Sequence, residues 1–97
     1  MIRVADVFKA LADPTRRLVL DELCERDGLT LFEIVARLAV KHGVTSTRQA
    51  ISQHLAVLED AGLVRTGRVG RTKTHRIDTA PLDELRGRWT APTRSTP

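Results

Sequence analysis

Ninety-seven residues, 41% hydrophobic, 29% charged and 3% aromatic, are enough for one small domain with an aliphatic core. The single cysteine, Cys24, excludes an intrachain disulfide, and no apolar run approaches the ~18 residues of a membrane span. The net charge of +4 fits a polyanionic partner, and a chain this short gains stability from a partner subunit.

Val4, Val7, Phe8 and Leu11 fall at helical spacing and predict a first helix. Asp13 is a good N-cap and Pro14 suits the first helical position, so a second helix is expected over residues 14–25, with Gly28 as its stop. Thr30 and Glu33 form a capping-box pattern for a third helix, carried by Leu31, Ile34, Val35 and Leu38 and expected to end near Val40. Ser46 and Gln49 repeat that pattern and open a fourth helix, residues 47–61, stopped by Gly62. Residues 63–68 and 72–78 are rich in β-prone residues and read as strands joined by a tip at "GRVGR". Asp78 or Thr79 can cap a last helix, residues 81–89, bearing Leu82, Leu85 and Trp89. The expected fold is mainly α with a small β-hairpin, a winged helix-turn-helix in the order α-α-α-α-β-β-α. Residues 1–90 form one domain, and residues 91–97 form a disordered tail. The N-terminal "MIRVADVFKA" has no signal-peptide apolar region, so a cytoplasmic location is expected.

The fourth helix has two faces. Ile51, Leu55 and Leu58 lie within about 60° of one another on a helical wheel, as a buried seam requires. Arg48, Gln49, Ser52 and Gln53 lie elsewhere, near the N-terminal end. A face needed only for solubility would favour Glu and Lys, whereas Arg pairs bidentately with guanine and Gln with adenine in the major groove. The acids Glu59 and Asp60 sit at the far end, which suits a helix that reads bases with its N-terminal residues. Charge is unevenly spread as well. Residues 1–44 hold seven basic and seven acidic residues, but between Ala61 and Ile77 there are Arg65, Arg68, Arg71, Lys73 and Arg76 and no acid. A basic hairpin directly after such a helix is an arm for DNA. The helix, glycine-containing turn and helix of residues 31–55 complete a helix-turn-helix pattern.

Three segments resemble the ArsR-type winged helix-turn-helix regulators, the arsenic-repressor family: "FKALADPTRRLVLDEL" (residues 8–23), "RQAISQHLAVLEDAGLV" (48–64) and "GRVGRTKTHRI" (67–77). The resemblance implies a homodimeric regulator, usually a repressor, binding a near-palindromic site on double-stranded DNA. It assigns dimerisation to the first and last helices, here Val4, Val7, Phe8, Leu82, Leu85 and Trp89; covering the domain's own core is the plainer role for these residues. The family's metal sensors carry a cysteine pair on the third helix and Asp and His ligands on the last. Here "TLFEIVARL" has no cysteine and "PLDELRGRWTAP" has no histidine, so no metal and no cofactor are expected. The residues name no effector.

Base reading is expected from Arg48, Gln49, Ser52 and Gln53. Backbone contacts are expected from Thr47, His54, Arg65, Arg68, Arg71 and Lys73, with His54 bonding either a phosphate or its own domain. Cys24 is expected to be a small buried hydrophobe, His42 a turn residue, His75 a wing-strand residue, and Arg16 and Arg17 part of a solvated face or a phosphate contact. No catalytic constellation is present, so an enzyme is not expected. Two rivals remain, a sequence-nonspecific architectural DNA binder and a winged-helix protein–protein interaction module.

Overall fold

The computed structural model describes residues 3–92, so the last five residues of the expected tail lie outside the described residues. The order is α1 (Val4–Leu11), α2 (Pro14–Glu25), α3 (Leu31–His42), α4 (Arg48–Asp60), β1 (Val64–Val69), β2 (Thr72–Ile77) and α5 (Ala80–Arg88). This is the order read from the sequence.

The caps explain most boundaries. Asp13 accepts from Arg16 N–H at 3.1 Å, with Pro14 at the first helical position. Thr30 and Glu33 form the reciprocal capping box, at 3.1 and 2.9 Å. The cap of α4 is Thr47 and not Ser46: Thr47 is extended and its hydroxyl accepts from Ala50 N–H at 3.1 Å. Helix α3 runs two residues past Val40, so His42 closes the helix instead of lying in the turn, and left-handed Gly43 caps it. Helix α2 stops at Glu25, and Gly28, at φ +77°, redirects the chain three residues later.

Gly62 closes α4 with φ +79°, and its N–H and that of Leu63 reach back to Glu59 and Leu58, both at 2.9 Å. A Cβ at this position would meet Pro81 Cγ at 3.4 Å as well as adopt a left-handed backbone. Gly62→Ala is therefore expected to cost about 1–2 kcal/mol, which thermal unfolding followed by circular dichroism would measure.

The core is aliphatic. Val7 and Ala10 of α1, Val19 and Leu23 of α2, Ile34 and Leu38 of α3, and Ile51, Leu55 and Leu58 of α4 meet Leu29, Leu63 and Val64 in one buried cluster. Val7 is fully buried in this cluster, which removes it from the expected dimer contacts. Val4, Leu82 and Leu85 are half-buried, and the two leucines pack on the core.

The hairpin pairs Val64 with Ile77 through Val69 with Thr72, leaving a two-residue loop of Gly70 and Arg71. Gly70 has φ +63° at the first loop position, as a II′-type turn requires. Gly67 belongs to the strand and not to the tip. Leu29 adds a short third edge: its N–H reaches His75 O at 3.1 Å and His75 N–H returns to Leu29 O at 2.7 Å. The His75 ring is buried and donates from Nδ1 to the same Leu29 carbonyl at 3.0 Å. His75 is thus the pin that fastens the wing to the start of α3.

The expectation for Cys24 on α2 is reversed, and an acid takes the inner side instead. Cys24 is exposed and Glu22 is buried. Cys24 falls a helical step off the seam of Val19, Leu20 and Leu23. Glu22 turns inward because α3 supplies its partners. Arg37 Nε and Lys41 Nζ each lie 2.9 Å from its Oε1, and His42 Nε2 lies 2.8 Å from its Oε2. Lys41 also reaches Glu25 at 2.7 Å.

Candidate nucleic-acid interface

Helix α4 follows α3 through residues 43–47, and its inner seam of Ile51, Leu55 and Leu58 is buried. Burying that seam fixes the helix's rotation. Gln49 and Gln53 are consequently exposed on its outer side and Ser52 on its flank, while Thr47 and Arg48 are exposed at its N-terminal end. Thr47 Oγ1 accepts the Ala50 N–H, and its own hydroxyl proton remains a donor. The N–H groups of Arg48 and Gln49 open the helix with no intrahelical acceptor, a positive end suited to phosphate.

The wing lies beside this helix, tied to it through Leu63 and Val64 in the common core. Arg68, Arg71 and Lys73 are exposed, and among the described residues none of them, nor Arg48 or Arg76, has a carboxylate within ion-pair distance. Arg68 sits directly opposite Lys73, and Arg65 opposite Arg76. Like charges in register across a hairpin are destabilising, and a polyanion offsets that repulsion. Arg65 differs from its neighbours: its Nε donates to Asp78, which the guanidinium holds below the usual carboxylate range. A second Asp78 oxygen accepts from Ala80 N–H at 2.9 Å and opens α5. Arg65 is therefore partly committed to closing the base of the wing.

Glutamine at Arg68 and Lys73 is expected to raise or preserve the melting temperature while weakening DNA binding, because it removes repulsion in the free protein and attraction in the complex. Each lost phosphate contact lowers the salt slope of log affinity by about 0.9. A salt titration by anisotropy would read both contacts.

His54 is half-buried, and its Nδ1 lies 3.2 Å from Arg16 Nη1. Of the two roles left open for it, contact with its own domain is present. Arg16 is no solvated surface residue: it also donates to the carbonyls of Ala10 and Lys9. Arg17 donates to Leu11 O at 2.7 Å. Read as sequence, these two arginines do not stand out as a cap for α1, although their place directly after the Asp13-Pro14 break is a usable signal.

The exposed rings of Phe8 and Trp89 stack at 6.3 Å between centroids and 15° between planes, joining α1 to α5, with Arg88 over the Trp89 ring at 5.5 Å. Among the described residues no group of three or more His, Cys, Asp or Glu side chains is arranged to hold a metal ion, and no helix is long and apolar enough to cross a membrane.

A helix-turn-helix with a polar reading face and a basic β-hairpin beside it is a winged helix-turn-helix DNA-binding protein. The family model for the helix-turn-helix domain matches residues 11–67. An uncharacterised HTH-type transcriptional regulator of Bacillus subtilis, YuzN, is 52% identical over 83 residues, spanning 86% of this chain and 90% of that one. The transcriptional repressor SdpR of the same species is 32% identical over 81% of this chain and 80% of its own. Among solved structures, an ArsR-like transcriptional regulator from Rhodococcus sp. RHA1 superposes with a TM-score of 0.76 at 34% identity, over 88% of this chain and 72% of that one. The chain belongs to the ArsR family of winged helix-turn-helix transcriptional regulators, and it is not an enzyme.

Proposed function

We propose that the protein is a homodimeric, cytoplasmic repressor that recognises a near-palindromic operator, with residues 1–90 serving as a single DNA-binding and dimerisation domain. The observation that carries sequence recognition is the polar N-terminal half of α4, where Arg48, Gln49, Ser52 and Gln53 are exposed while the inner face is locked into the core. These four side chains read base edges. Thr47 and His54 hold phosphate beside them, and Arg68, Arg71 and Lys73 hold it from the wing, with Arg65 contributing less because Asp78 already engages it. The repressor reading is supported by the likeness to SdpR.

Dimerisation is supported by the Phe8–Trp89 stack, which leaves two large rings exposed side by side on α1 and α5. Buried aromatics dominate interface energetics. Val4, Leu82 and Leu85 contribute the edges they do not spend on the core. Each two-fold-related substitution counts twice, so Trp89→Ala is expected to weaken the dimer by roughly 30-fold or more. Sedimentation velocity across a concentration series reads this. A monomer at every concentration in the unsubstituted protein would contradict it.

Selection from a random duplex library, followed by footprinting, tests the operator. A recovered site with two half-sites about 34 Å apart supports paired recognition helices. Recovery of no preferred sequence returns the reading to an architectural or protein-binding module.

A further inference from the structure

One side chain joins the DNA-facing helix to the helix that bears Phe8. Arg16, in the first turn of α2, donates from Nε to Ala10 O at 2.8 Å and from Nη2 to Lys9 O at 2.9 Å. Both carbonyls belong to the last turn of α1, where the helix dipole favours a cation, and Lys9 O also accepts from Ala12 N–H at 3.3 Å. Its third arm, Nη1, meets His54 Nδ1 on α4 at 3.2 Å. A guanidinium only donates. Nδ1 must therefore offer its lone pair, and the proton of the neutral ring sits on Nε2. An imidazolium, with N–H groups on both sides, does not fit this contact. Among the described residues Nε2 has no hydrogen-bond partner, and no buried side-chain nitrogen or oxygen is without one, so Nε2–H opens to solvent.

We propose that Arg16 is a positioning residue for DNA binding: it holds His54 as the Nε2–H tautomer, so that α4 presents one oriented donor to a phosphate oxygen, and it sets α4 against the C-terminus of α1. This rests on the DNA-reading function above. The tautomer matters because a ring free to exchange its proton would offer an acceptor to the phosphate for part of the time. Lysine cannot replace Arg16, since a point-like ammonium has no fork to reach two carbonyls and a ring together. The contact is also neutral. Losing it lowers affinity without changing the salt slope, unlike the loss of a wing cation.

The test combines long-range 1H–15N correlation spectra of the His54 ring with anisotropy on the selected operator. The unsubstituted protein is expected to show a protonated Nε2 and a bare Nδ1, and Arg16→Met to show mixed tautomers with roughly tenfold weaker binding. Because Arg16→Met also uncaps α1, two substitutions at His54 keep the question open to test. His54→Asn retains an acceptor near the Nδ1 position without the outer donor, and is expected to bind roughly tenfold more weakly at an unchanged melting temperature and salt slope. His54→Gln places an amide near the Nε2 position and is expected to stay within about threefold of the unsubstituted protein. A protonated Nδ1 in the unsubstituted protein overturns the proposal. So does tight binding by both Arg16→Met and His54→Asn, or equal losses for His54→Asn and His54→Gln. Absence of sequence preference in the unsubstituted protein would instead strike the proposed function itself, and would take this positioning role with it.

Discussion

Glu22→Ala is expected to lower the folding free energy by about 3 kcal/mol and the melting temperature by roughly 12–20 °C. Among the described residues Glu22 is the one buried acidic side chain, 1% exposed, and it anchors three side chains of α3. Removing it leaves a small cavity and strips Arg37, Lys41 and His42 of their common acceptor. Arg37 and Lys41 are 26% and 34% exposed, so they regain some water, which places the cost at the lower end for a broken buried pair. Glu22→Gln keeps the volume and one acceptor and should fall between. A loss under 1 kcal/mol for the alanine substitution, measured by urea unfolding, would show that the cluster contributes little.

The same cluster sets an acid limit. Burial alone would raise the Glu22 pKa, but hydrogen bonds from Lys41, His42 and Arg37 outweigh it and hold the carboxyl down to about 2 from an ordinary 4.5. The folded state then binds fewer protons than the unfolded chain between those values. The contribution, about 3 kcal/mol, is complete above pH ~4.5 and disappears as pH falls through ~2. Acid unfolding of the unsubstituted protein should be steep in that window, and of Glu22→Ala shallower.

The second large effect is on recognition. Gln49→Ala combined with Gln53→Ala is expected to cost at least ~4 kcal/mol of specific binding, about a thousandfold, taking ~1 kcal/mol for each glutamine at each of two half-sites. Both side chains are exposed and uncharged, so stability should change by less than ~0.5 kcal/mol and nonspecific binding should persist. Circular dichroism and anisotropy on operator and random duplexes separate the three quantities. Equal losses on both duplexes would mean that these residues support the backbone contact and carry no sequence information.

The elements were legible because their signals are local. Asp13 with Pro14, Thr30 with Glu33, and Gly62 each stop or start a helix through atoms within a turn or so of themselves. The outer face of α4 was legible for the same reason, since periodicity alone puts Gln49 and Gln53 away from Ile51 and Leu55. What was not legible depends on partners far along the chain. Glu22 reads as a surface acid until Arg37, Lys41 and His42 are seen on the adjoining helix, and Cys24 reads as core until Glu22 takes the inner side. His75 looks like an ordinary wing residue because its acceptor, Leu29, lies 46 positions away. Arg16 looks solvated because His54 lies 38 positions away. Val7 reads as a partner-surface residue because the family resemblance gives the first helix to dimerisation, yet its side chain fills the chain's own core.

The function proposed for this protein depends on α4 reading sequence. The most direct test is anisotropy of a labelled duplex from upstream of the protein's own gene against a scrambled duplex of equal composition at physiological salt, with the library-selected site as a third arm. A gap of ~4–10 kcal/mol between specific and scrambled DNA is expected, lost in the Gln49→Ala/Gln53→Ala protein. Equal affinity for all three duplexes would contradict it.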